Sequence, residues 1–161
     1  MSMCLQLISI NPQDIEKLSL GDTIEELLDE HFEARSDYAL DLDKNWDGVD
    51  FLFYRADQSS FSRNWLTESG EQIGEDLGYG PARVWTSELV TTITEKTKLR
   101  DAASLNAAFD FELFEQAEVY PNIWDQQDPQ DRDIILSACS YLQRMLRATT
   151  NRGDALLAAL V

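Results

Sequence analysis

A chain of 161 residues, 43% hydrophobic with four Trp, seven Phe and five Tyr, can bury one good core and is too short to argue for two, so a single domain over residues 1 to 161 is expected. A formal net charge of −17 and a pI near 4.2 weigh against a nucleic-acid partner, because displacing phosphate counterions needs clustered Lys and Arg. No basic N-terminal stretch precedes an apolar run of signal-peptide length, and no segment approaches the roughly 18 apolar residues of a membrane span, so a soluble cytoplasmic protein is expected.

Residues 3 to 10 place Met3, Leu5 and Leu7 on one face and Cys4, Ile8 and Ile10 toward the other, as in a buried strand. Asn11 as N-cap with Pro12 at the first helical position starts a short helix through Ile15 and Leu18, stopped at Gly21. A second helix is expected from Asp22 to about Arg35, with Ile24, Leu27, Leu28 and Phe32 inward and Glu26, Asp29, Glu30 and Glu33 outward. Like charges three and four apart cost such a helix a few tenths of a kcal/mol per pair, so the acidic face is either a solvated surface or a surface kept for a basic partner. His31, the single histidine, lies at the edge of the apolar stripe with no nucleophile nearby to serve.

The segment from Leu42 to Tyr54 admits two readings. Asp43, Asn45, Asp47 and Gly48 match the opening of a calcium loop, but the twelfth position, which needs a bidentate Glu, is Tyr54, and the eighth, which should be apolar, is Asp50. As a helix capped by Asp43, the same residues put Trp46, Val49 and Phe53 on one face, widened by Phe51 and Leu52. The missing twelfth ligand favours the helix, with Trp46 as a core anchor and no metal site.

Residues 56 to 62 read as an exposed polar loop, and Asn64 to Gly74 as irregular backbone with apolar islands at Trp65, Leu66 and Ile73. Gly78-Tyr79-Gly80-Pro81 reads as a tight turn feeding a short strand from Ala82 to Trp85. Its glycines suit an anion, although the lysine of a P-loop and the third glycine of a dinucleotide fingerprint are missing. Thr86 caps a helix to about Lys98 with Leu89, Val90 and Ile93 buried; shorter helices span residues 101 to 108 and 110 to 117; residues 119 to 124 are extended ahead of and through Pro121. The longest helix starts at Asp128-Pro129, carries Ile134, Ile135, Ala138, Cys139, Leu142, Leu146 and Thr149 inward, and ends at Gly153. An apolar strand over residues 154 to 161 closes the chain, predicted to share a sheet with the first strand and to lie under the long helix. Arg144, Arg147 and Arg152 suit that helix's C-terminal dipole. Cys4 and Cys139 sit among apolar residues without a C-x-x-C or zinc pattern, so buried reduced thiols and no cofactor are expected.

Three blocks carry a resemblance: Leu42-Asp43-Lys44-x-Trp46, Ile73-Gly74-Glu75-Asp76-Leu77-Gly78-Tyr79-Gly80-Pro81-Ala82-Arg83, and Val119-Tyr120-Pro121-x-Ile123-Trp124. Their order and spacing resemble the YfbM-like family of uncharacterised bacterial proteins over nearly the whole chain. The resemblance implies an α+β fold, helix-rich with a small sheet holding both terminal strands, and it supplies no activity. Family members commonly carry a histidine four residues after the tryptophan; Asp50 stands there in this chain, which leaves no histidine chemistry to carry over.

Two function classes follow. One is a protein-binding or regulatory module, immunity-like in kind, presenting Glu26, Asp29, Glu30 and Glu33 to a basic protein; residues 1 to 60 hold 14 acids and 4 bases. The other is a small anionic-ligand binder or enzyme with a cleft built from Trp46, Asp50, Tyr79, Arg83 and Tyr120. Against catalysis, no nucleophile, base and orienting group occur in a recognisable set. Arg83 has a scaffold role available as well, paired with Asp43, Asp47 or Asp76.

Overall fold

The computed structural model describes residues 2–18, 24–34 and 36–161. Five strands form one antiparallel sheet: β1 (Leu5–Ile10), β2 (Ala39–Asp41), β3 (Glu71–Asp76), β4 (Pro81–Trp85) and β5 (Ala155–Leu160), in the order β2-β1-β5-β4-β3. The terminal strands are neighbours, with Leu5 opposite Leu160 and Ile10 opposite Ala155, as the sequence predicts. Strand β5 is central and buried from Ala155 through Ala159 because helices cover both faces of the sheet, which is why it reads as a continuous apolar run instead of an alternation.

The period-2 geometry of the strands divides the core. Leu5, Leu7, Trp85, Leu156 and Ala158 point into the larger layer, with α3 (Trp46–Ala56), α5 (Ser87–Lys98), α6 (Ala102–Ala108), α7 (Phe111–Gln116) and α8 (Pro129–Arg152). Ile8, Ile10, Ala82, Val84 and Leu157 point the other way and are covered by Leu18 of α1 (Ile15–Leu18) and by Ile24 and Leu28 of α2 (Ile24–Glu33). The acids on the opposite side of α2, Glu26, Asp29, Glu30 and Glu33, are exposed. The stop at Gly21 and the helix ends at Asp22 and Arg35 lie outside the described residues. No helix among the described residues is long and apolar enough to cross a membrane.

Several helix ends follow the sequence chemistry. Asn11, Thr86, Asp101, Asp110 and Asp128 each accept a hydrogen bond from a backbone N–H in the following turn, and Gly153 ends α8 in the left-handed region. The start of α3 does not: Asp43 has φ 48° and lies in a 3-10 turn over Asp43–Asn45, with no side-chain cap on either element. Gly48, the turn residue of the calcium reading, is instead a contact between helices. A Cβ there would stand 2.6 Å from Ile135 Cδ1 of α8.

Five further expectations are corrected. Residues 64 to 74 are not irregular: they hold a single helical turn, α4 (Trp65–Glu68), and the first part of the edge strand β3. Phe61 is buried against Phe53 and Trp65, so the loop after α3 is anchored inward. Residues 119 to 124 form a turn with a cis Tyr120–Pro121 bond, not an extended segment. On α8 the inward stripe is Ile135, Ala138, Cys139, Leu142, Met145, Leu146 and Thr149, a seven-residue spacing kept along the helix; Met145 belongs to it, whereas Ile134 falls beside it and is 47% exposed. Cys139 is buried and free, whereas Cys4 is half-buried, its Sγ directed to Asp43 Oδ1 at 3.3 Å.

Candidate functional site

Asp50 lies on the inward side of α3 and is completely buried. Its Oδ1 accepts hydrogen bonds from Arg63 Nη1 at 2.6 Å and from the Asn64 amide at 2.8 Å; Oδ2 accepts from the Leu66 amide at 2.9 Å. Burial pushes the Asp50 carboxyl above the usual carboxylate range, while the two amides and then Arg63 pull it back. The amides belong to the start of α4, where Asn64 sits at φ 66° with no side-chain cap of its own. A carboxylate from a different element therefore does the work of the missing N-cap, and its negative charge faces the positive end of the turn.

The other end of α4 is held by a cation. Arg83 Nη1 donates to the carbonyls of Glu68 and Gly70, both at 2.9 Å. No carboxylate among the described residues forms an ion pair with Arg83, so the expected pairing with Asp43, Asp47 or Asp76 is not made. It is Arg63 that meets Asp47, at 2.5 Å, in addition to Asp50. Arg63 also lies over the Phe51 ring, 5.3 Å from its centroid. Gly70 is fixed in place by its surroundings: at φ 80°, a Cβ would collide with the Val84 carbonyl oxygen and stand 2.6 Å from Trp85 Cδ1.

The glycine-rich turn does bind an anion, and the anion is its own. Asp76 Oδ1 accepts from the amides of Gly78 at 2.6 Å and Gly80 at 3.1 Å, which lowers the Asp76 pKa. The phosphate signal in Gly78-Tyr79-Gly80-Pro81 is thus the signature of an internally satisfied nest.

Trp46 and Tyr120 form a third contact set. Their rings are stacked with centroids 6.1 Å apart, Trp46 Nε1 donates to the Met3 carbonyl at 3.2 Å, and the Met3 amide donates to the Tyr120 hydroxyl at 3.2 Å. Asp47 Oδ2 accepts from the Tyr120 amide at 2.8 Å, tying the turn after α7 to α3.

The five residues expected to line one cleft are therefore divided. Trp46, Asp50 and Tyr120 are linked through α3 and used for internal bonds, whereas Tyr79 and Arg83 border a separate cavity of about 240 Å³ above the sheet, walled also by Leu66 and Thr67 of α4. The short helix α4 is what the two groups share. Arg63 is the participant that sequence reasoning missed, and Asp47, named there as a partner for Arg83, pairs with Arg63 instead. Asp47 and Asp50 lie three apart on the apolar side of a helix, a position that demands a buried partner, and Arg63 is the next cation in the chain after Arg55. Asp43 and Asp47 of the calcium-like pattern are spent on Cys4 and on Arg63 with Tyr120, and no three His, Cys, Asp or Glu side chains among the described residues are grouped to hold a metal. His31 Nδ1 lies 3.3 Å from Ser36 Oγ.

Fold and contacts together define a helix-rich α+β protein whose charged motif residues hold one short helix between α3 and the β3–β4 hairpin. Residues 1–159 match the family described as "Domain of unknown function (DUF1877)", and the chain belongs to that family. It is similar in structure to a protein of unknown function, YfbM from Escherichia coli, with a TM-score of 0.65 and 19% identity, covering 98% of this chain and 99% of that one. At that identity the likeness establishes the shared fold. No match was found among curated proteins.

Proposed function

We propose that the protein is a non-catalytic binding module, regulatory or immunity-like in kind, that presents an acidic surface to a cationic protein. The observation that carries this reading is how its charges are divided. The charged groups around α4 and the glycine-rich turn, Asp47, Asp50, Asp76 and Arg83, are engaged in internal bonds, whereas Glu26, Asp29, Glu30 and Glu33 stand in solvent on α2 without an ion pair to any Lys or Arg among the described residues. A chain of net charge −17 attracts cationic surfaces at long range and repels its own copies. The alternative, a catalytic or anion-binding cleft spanning Trp46, Asp50, Tyr79 and Arg83, has less support because Asp50 is sealed beneath α4 and does not reach the cavity beside Arg83.

The test compares the wild-type chain with the variant E26Q/D29N/E30Q/E33Q, immobilised and exposed to a cell extract at low ionic strength. The proposal expects a basic protein retained by the wild type, released by salt, and lost from the variant. Equal retention by both chains would remove the α2 face from the account.

A further inference from the structure

The cavity beside Arg83 holds a half-buried positive charge that makes no ion pair with a described residue. Its walls are of two kinds: Arg83, Gln72 and Thr67 supply polar groups, and Leu66, Pro81 and Leu160 supply apolar ones. Arg83 is half-buried, and its hydrogen bonds to described residues both leave from Nη1 and end on neutral carbonyls. Although the chain has 30 acids, none among the described residues pairs with this guanidinium. Of the acids of the adjoining hairpin, Asp76 is held by its own turn, and neither Glu71 nor Glu75 forms an ion pair with Arg83. Gln72 is directly opposite Arg83 in the β3–β4 register, so the two side chains share a face, and Gln72 contributes an amide where an acid would have closed the pair.

We propose that this cavity binds a small monocarboxylate with a short apolar tail, its carboxylate on Arg83 and its tail against Leu66, Pro81 and Leu160. A guanidinium pairs with one carboxylate through two parallel N–H donors, and the carbonyl contacts of Nη1 leave Nε and Nη2 as such a fork. The volume of about 240 Å³, at roughly 30 Å³ per water-sized group, admits about eight non-hydrogen atoms, the size of butyrate to benzoate. A polyphosphate is disfavoured twice, by the single cation and by the repulsion of a chain at −17. This inference stands apart from the acidic-face reading, and either can fail alone.

The test measures melting of the full chain with butyrate, hexanoate and benzoate, against equal sodium chloride and against butyramide as the neutral isostere. The expected result is a rise of about 3 °C with at least one of the acids at tenfold its dissociation constant and none with butyramide. Gln72 is exposed, so Gln72→Glu keeps the fold and sets an internal carboxylate against Arg83. It is expected to weaken acid binding at least tenfold, while Gln72→Lys strengthens it. An acetylated tripeptide acid, too large for the volume, is expected to give no shift. Any of four results overturns the proposal: no shift with any acid, an equal shift with butyramide, binding indifferent to Gln72→Glu, or a shift with the tripeptide alone, which would assign the site to a peptide terminus.

Discussion

Replacing Asp50 by Ala removes the acceptor of three hydrogen bonds in a place that water does not reach. The amides of Asn64 and Leu66 lose their partner, and Arg63 keeps only Asp47. Each unmet buried amide costs about 1–3 kcal/mol, and breaking a buried ion pair by deleting one member costs about 3–5 kcal/mol. These losses overlap, because the amides and the arginine share one carboxylate, so the expected total is about 4 kcal/mol and not their sum. For a chain of this length that corresponds to a melting temperature lower by roughly 8–16 °C. Asp50→Asn keeps one acceptor oxygen and relieves the burial of charge, so it should cost less than Asp50→Ala. Urea unfolding followed by tryptophan fluorescence measures both, since Trp65 of α4 donates from Nε1 to the Asp50 carbonyl at 3.3 Å. An Asp50→Ala protein within about 1 kcal/mol of wild type would refute the reasoning, for it would mean that α4 is held by packing alone.

Gly70→Ala should destabilise by more than the 1–3 kcal/mol typical of overpacking, because the new methyl meets the Val84 carbonyl and the residue must keep φ 80°; a melt close to wild type would contradict the close approach. A chain ending at Gly153 lacks the central strand β5 and should show no cooperative melt, checked by circular dichroism. The Asp57 carboxyl accepts from the Ser59 hydroxyl, from the Ser60 and Ser59 amides and from Arg100, which together lower its pKa to about 2. Since that is below the unfolded value near 3.8, its contribution is fully present above about pH 4 and is lost as pH falls through about 2. The stability gap between wild type and Asp57→Asn should therefore narrow over that window in urea titrations, and a gap constant with pH would contradict the bonding described.

Elements whose own sequence stabilises them were legible. Helices α5 and α8 announce themselves through Thr86 and Asp128-Pro129, and β1 and β5 through apolar runs of strand length. The turn α4 and strand β3 were not, because their stability is borrowed. A four-residue helix has no stability of its own, and the groups that end it come from α3 and β4, far away in sequence. Strand β3, Glu71-Gln72-Ile73-Gly74-Glu75-Asp76, carries charges and a register shift that keep an edge from pairing further, and those same features hide it from a propensity reading. Of the candidate cleft, Trp46 and Tyr120 proved to be neighbours, as did Tyr79 and Arg83 around one cavity; the separation of the two pairs depends on where α4 lies.

The central claim is that Asp50 and Arg83, which do not bond to each other, act on the same helical turn from its two ends. A double-mutant cycle of Asp50→Ala and Arg83→Ala in urea unfolding tests it most directly. If α4 transmits the effect, the second substitution costs less once the first has freed the turn, giving a coupling of about 1 kcal/mol; additivity within about 0.3–0.5 kcal/mol, as for independent distant sites, would contradict it.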